Sequence, residues 1–256
     1  MKPPVAKPAP EPGPLETYPW PERLAARVVA PGPAPRVHGY CVQADLARHY
    51  AFGEALYLCI TGSLPDARVA RAFDVAMWFA GPVAIAHGAV HAAALAHLVD
   101  ARDSAVAGTA AIALAEATSA ELDDLADLLA WLDAPAGPLP ACAVATAAGD
   151  RDGVARLRRA LAPTGVRPAA LDRDPSLRAA VVATLHACGV ATRAQLHTAL
   201  TLARLPFCLA EATAGPRRTL RACAMNVPPV RYRDPAAAGT STQGAGAGRA
   251  EPPDAD

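Results

Sequence analysis

The strongest constraint on the fold of this chain is the turn Thr61-Gly62-Ser63-Leu64-Pro65, because it must end one helix and start another. Upstream of it, Phe52, Leu56, Tyr57 and Ile60 recur at helical spacing on one face. Gly62 stands just past the last periodic residue, where a left-handed C-cap is needed, and Pro65 forbids continuation. Asp66 then supplies a carboxylate near the positive end of the next helix, which runs through Phe73 and beyond. Two helices joined by a tight turn follow from local chemistry alone.

The same punctuation recurs along the chain. Breaks are predicted at Gly81-Pro82, Asp100–Arg102, Pro135–Pro140, Pro163–Pro168 and Gly189. Between them helices are expected near 42–49, 51–61, 66–80, 84–99, 103–132, 150–162, 175–188, 192–205 and 207–214. Within 103–132 a bend is expected near Thr118-Ser119, where Ser119 resembles a second N-terminus. Val and Ile never cluster with two-residue alternation, so strands are poorly supported and the fold class is all-α. Residues 1–35 carry eleven prolines and are expected as an extended, mobile, disordered arm. Residues 236–256, which lack large hydrophobes, are expected as a disordered tail. The folded part is then about 36–235.

Charge narrows the function. Lys plus Arg and Asp plus Glu are 24 each, which argues against a broad nucleic-acid surface. No apolar run is long enough for a membrane span, and the proline-rich start lacks the apolar core of a secretory signal. The six cysteines, Cys41, Cys59, Cys142, Cys188, Cys208 and Cys223, form no CxxC pair, so reduced thiols in a cytoplasmic protein are the expectation.

The string HGYCVQADLARHYAFGEALYLCITGSLPDARVARAF, His38 to Phe73, resembles the N-terminal signature of the citrate synthase family, which reads roughly RGY, a short helix, then FEEVLYLLLTGELP. GPVAIAHGAVHAAALAHLVDARDSAVAGTAAIALAE resembles the family's paired long helices. Leu185–Gly189 (LHACG) and Leu202–Pro206 (LARLP) match its C-terminal half, and NVPPVRYRDP its closing RPxxxY. The resemblance implies an all-α, citrate synthase-like fold with a large domain and an abbreviated small domain near 140–205. It also implies a homodimer, for which the small-residue helices 84–99 and 103–117, with Gly108 mid-helix, are suited.

The family's reaction adds the methyl carbon of acetyl-CoA to a ketone such as oxaloacetate. It needs a carboxylate base, imidazoles at the enolate and the ketone, and arginines that grip the dicarboxylate. This sequence departs from most of that pattern. ATSAELDD, residues 117–124, stands where an HGG is expected, and Gly165-Val166-Arg167-Pro168 where a GHP is expected. The base aspartate aligns with Arg178, and the histidine of GxxAH with Glu211. Val227 replaces the arginine of RPxxxY, while Pro228 and Tyr232 remain. Arg204 keeps the arginine of ALAR.

The resemblance therefore implies acyltransferase-class carbon–carbon chemistry, weak or lost, with Arg204 and Arg178 as the substrate-binding residues. The expected ligands are acetyl-CoA or another CoA ester, with no permanently bound cofactor, and a small dicarboxylate. The alternative is a non-catalytic CoA-ester or dicarboxylate-binding module, or a subunit of an active citrate synthase paralogue. Among other candidates, His87 and His91 share a helix face at i, i+4 and could approach one metal, but no third ligand accompanies them. His97 lies on the same helix. Asp172 and Asp174 could offer a carboxylate, with Asp174-Pro175 either a remnant of the family's DPR or, more commonly, an Asp-Pro helix start, and His186 reads as a packed histidine or one with an N–H partner.

Overall fold

The computed structural model describes residues 26–218. The expected tail, most of the expected arm, Cys223, Val227, Pro228 and Tyr232 lie outside these residues.

Helices dominate. They are α1 (Phe52–Thr61), α2 (Ala67–Ala80), α3 (Gly88–Leu98), α4 (Asp103–Asp124), α5 (Ala126–Asp133), α6 (Ala148–Leu161), α7 (Leu177–Ala187) and α8 (Arg193–Thr213). A short helical segment over Val42–His49 precedes α1. The all-α class holds, with one local exception. Strands β1 (Val29–Ala30), β2 (Arg36–Val37) and β3 (Tyr40–Cys41) form an antiparallel sheet with Val29 opposite Val37 and Val37 opposite Tyr40. His38 and Gly39, with φ of 47° and 87°, form the two-residue turn between β2 and β3, where positive φ at both positions matches the strand twist. Because β1 pairs with β2, ordered pairing begins inside the 1–35 segment expected as a mobile arm.

The anticipated α1–α2 turn is present. Gly62 adopts φ 83° and its N–H caps the Leu58 carbonyl. The Asp66 side chain accepts from the N–H groups of Arg68 and Val69. On α1 the buried residues are Tyr57 and Leu58, whereas Phe52 is exposed at the helix start, before α1 reaches the core.

Two other boundaries differ from expectation. The break after α4 falls at Leu125, not at Thr118-Ser119: Thr118 is fully buried inside the helix, while Leu125 turns the chain into α5. The segments 192–205 and 207–214 form one helix, α8, which runs through Pro206. A mid-helix proline costs about 3 kcal/mol in lost hydrogen bond and steric clash. Burial on both sides offsets it, since Ala203 before it and Cys208 and Ala212 after it are all in the core.

The core has two parts. The larger holds α2, α5, α6, α7 and the first half of α8, centred on Phe73, Leu122, Leu157, Leu185 and Leu200. The 140–205 segment, expected as a small domain, shares this cluster with α2 and α5. The smaller part packs α3, the first half of α4 and the end of α8 around Val90, Val106, Leu114 and Cys208. Both α4 and α8 therefore cross from one cluster to the other, and the cleft described below opens where they do.

Candidate functional site

A cavity of about 930 Å³ lies between the end of α2, the 81–87 segment, the second half of α4, the start of α7 and the middle of α8. Gly81 and Pro82 end α2 and set one wall. Gly81 permits a close approach there, because any Cβ would collide with the Phe207 ring of α8. Apolar side chains, among them Phe79, Val83, Val181 and Leu200, form most of the lining, and ionic groups are confined to α4, α7, α8 and Asp150.

Arg204 and Arg178, the two arginines singled out by the resemblance, both line this cavity although one comes from α8 and the other from the first turn of α7. Each faces a carboxylate on α4. Arg204 Nη1 is 2.6 Å from Glu121 Oε2, and both side chains are only 14% exposed. The same guanidinium donates from Nε to the Ala80 carbonyl at 3.4 Å and from Nη1 to Thr118 Oγ1 at 3.3 Å. It thus satisfies an orphan carbonyl at the end of α2 and ties α8 to α4. Arg178 Nη1 is 3.6 Å from Asp124 Oδ2, and this pair is far more open, at 42% and 69% exposed. A cation in the first turn of α7 opposes the helix dipole. Asp150 offsets it by accepting the Leu177 N–H at 3.0 Å.

The string ATSAELDD therefore brings acids where the resemblance leads one to expect imidazole. Glu121 and Asp124, three residues apart on one helix face, point into the cavity. Asp123 between them points to Arg193 at the start of α8, 2.5 Å away. Sequence reasoning missed Glu121, Asp124 and Asp150 as site residues. The one available signal was the i, i+3 acid pair at the end of a long apolar helix.

The other candidates disperse. Glu211 is exposed on α8 and does not line the cavity. Gly165-Val166-Arg167-Pro168 lines a separate depression of about 240 Å³ with Arg158 and Asp172. His87 does reach the main cavity, but it is the N-cap of α3 and its Nδ1 accepts the Ala89 N–H. His91 is exposed one turn on. Among the described residues no group of three or more metal-ligating side chains is assembled. His97 bonds through Nε2 to the Gly215 carbonyl, His186 through Nε2 to Asp133 at 3.1 Å, and Asp174 pairs with Arg151. These bonds are between helices or loops outside the cavity. Among the described residues no helix is long and apolar enough to cross a membrane.

No family model and no curated protein matches the chain. Among solved structures it is similar to citryl-CoA lyase from Hydrogenobacter thermophilus, with a TM-score of 0.60 and 15% identity over 82% of this chain and 97% of that one. The chain has a citrate synthase-like, all-α fold, in agreement with the resemblance read from His38–Phe73 and Leu185–Pro206.

Proposed function

We propose that this chain is a citrate synthase-like protein whose cleft holds a small carboxylate or the acyl end of a CoA ester, and that it performs little or no carbon–carbon bond chemistry. The observation that carries the reading is the convergence of Arg178 and Arg204 on one cavity, each already answered by a carboxylate of α4. Two guanidinium groups from separate helices are a means of orienting an anionic or strongly polar end. The carboxylates are engaged with those guanidinium groups rather than poised beside an imidazole. Among the described residues the one histidine in the lining is His87, whose Nδ1 caps α3. An acid–base relay needs groups free to exchange protons with the reacting atoms; Glu121 is engaged with Arg204 and Asp150 with the Leu177 N–H, which leaves the loosely paired Asp124 and His87 Nε2 without the ordered partners of such a relay.

Calorimetry with CoA, acetyl-CoA and citrate tests the reading. Binding below millimolar by any of them, weakened about 10- to 100-fold in Arg204→Ala, is the expected result for loss of a charge-assisted contact. Binding that survives Arg204→Ala unchanged refutes the role of this arginine.

A homodimer through α3 and α4 belongs to the same proposal. Ile112 is 68% and Leu95 48% exposed on these helices, and Gly108, one turn before Ile112, has open space where a side chain would project. Small and apolar residues on adjoining helix faces suit close packing against a second copy. Light scattering at micromolar concentration is expected to give twice the chain mass, and a monomer mass refutes it. Assembly with an active citrate synthase paralogue is the second partner reading, and would appear as a mixed dimer when the two purified chains are combined before the same measurement.

A further inference from the structure

We infer that Glu121 is the charge filter of the cleft. It already answers the charge of the guanidinium that a ligand carboxylate would need, so an anionic ligand approaches Arg204 against a resident acid. The cleft is thereby biased toward ligands whose buried end is neutral, such as the acyl group of a thioester. The inference rests on the proposed function, in that it takes this cavity to be the ligand site.

Three observations lead to it. First, Arg204 is the better shielded of the two arginines, and its acid partner is equally shielded, at 14% exposure each and 2.6 Å apart. An ion pair withdrawn from solvent is weakly screened and is not opened by salt or water as a surface pair is. Second, Nε of Arg204 donates to the Ala80 carbonyl and Nη1 also reaches Thr118, so the guanidinium is held in place while Glu121 answers its charge. Third, the lining carries Arg178 and Arg204 against Glu121, Asp124 and Asp150. An incoming dianion meets an excess of carboxylate, which like-charge repulsion penalises. The Arg178–Asp124 pair is open and longer, so solvent screens its share of that repulsion and the shielded Glu121 dominates. The walls of Phe79, Val83, Val181 and Leu200 suit an uncharged acyl or alkyl portion.

The test is calorimetric titration of citrate into the wild-type protein, Glu121→Gln, Asp124→Asn and the double variant Glu121→Gln/Arg204→Ala, all at one ionic strength. Gln keeps the size of Glu and an acceptor for Arg204, so the fold is expected to persist, with helical circular dichroism as the check. Glu121→Gln is expected to bind citrate at least tenfold more tightly than wild type. Asp124→Asn removes the same formal charge from the same cavity and is expected to change affinity less than threefold. The gain is expected to vanish in the double variant. If wild type binds citrate as tightly as Glu121→Gln, the filter is refuted while the ligand-binding reading stands. Equal gains in Glu121→Gln and Asp124→Asn reduce the effect to net charge and refute it as well. If no variant binds citrate, Arg204 does not grip a carboxylate even when freed. The filter and the carboxylate half of the proposed function then fail together, while binding of CoA esters remains separately measurable. Should Glu121→Gln not fold, Glu121→Asp, which retracts the acid by one methylene, is expected to give a smaller gain in the same direction, and no gain refutes the inference.

Discussion

Replacing Tyr57 by Phe removes one oxygen atom from the junction of α1 and α7. The Tyr57 hydroxyl donates to the Cys188 carbonyl at 2.6 Å in a buried environment, across the loop that ends α7. The ring itself packs edge-on to Phe73, with centroids 5.3 Å apart at 84°, and Phe would keep that contact. The loss is therefore confined to the hydrogen bond and to a buried carbonyl left without its donor. Such an unsatisfied group costs about 1–3 kcal/mol. For a domain of this size each kcal/mol lowers Tm by roughly 2–4 °C, so a fall of roughly 2–12 °C is expected. Gly189 approaches the hydroxyl closely: it sits at φ 88°, and a Cβ there would lie 3.0 Å from the oxygen. Urea unfolding followed by circular dichroism, with calorimetry for Tm, measures the effect. A Phe variant with the wild-type midpoint and Tm would show that the hydroxyl contributes nothing net, and the account of this junction would be wrong.

Two further predictions concern the same scaffold. Burial raises the Cys188 thiol from 9.0 to about 12, and burial likewise raises the Tyr57 phenol above 10.0. Both groups are neutral when protonated, so the folded state holds their protons more tightly than the unfolded chain. Their contribution is complete below pH 9 and declines as pH climbs toward 12, with a ceiling for Cys188 of roughly 4 kcal/mol at about 1.36 kcal/mol per pKa unit. Unfolding free energies between about pH 8 and pH 11 should fall, and Cys188→Ala should flatten that slope; an unchanged slope contradicts the cause given. Pro206→Ala should restore a main-chain hydrogen bond within α8 and remove a steric clash at an exposed position, raising stability by about 1–3 kcal/mol in urea unfolding. A destabilised Ala variant would mean that the packing of α8 depends on the proline.

The sequence carried much of the fold because its turns have local causes. Gly62 is left-handed and Asp66 caps α2, as their chemistry requires, and Gly189 ends α7 in the left-handed region. Where local chemistry and packing compete, the reading failed. Pro206 signals a stop, yet buried residues on either side carry α8 through it. Thr118 and Ser119 resemble a helix start, yet Thr118 is wholly buried inside α4. The His38-Gly39 hairpin escaped notice because two-residue strands leave no periodic trace. The site was legible only in part. A resemblance pointed to Arg178 and Arg204, but their partners Glu121 and Asp124 lie more than fifty residues away in sequence. No spacing rule connects positions that meet only when α4, α7 and α8 pack.

The central claim is that the cleft has a citrate synthase-like setting without an operating acid–base set. Thiol release from acetyl-CoA in the presence of oxaloacetate, measured on the purified full chain at saturating substrates, addresses it directly. Removal of a single general acid or base costs about 10²–10⁴-fold, and groups acting as a unit do not compensate one another. The account predicts turnover far below about one per second, the lower edge of ordinary enzyme rates. Turnover at or above that rate would contradict it, and would place working acid–base groups among Glu121, Asp124, Asp150 and His87 instead.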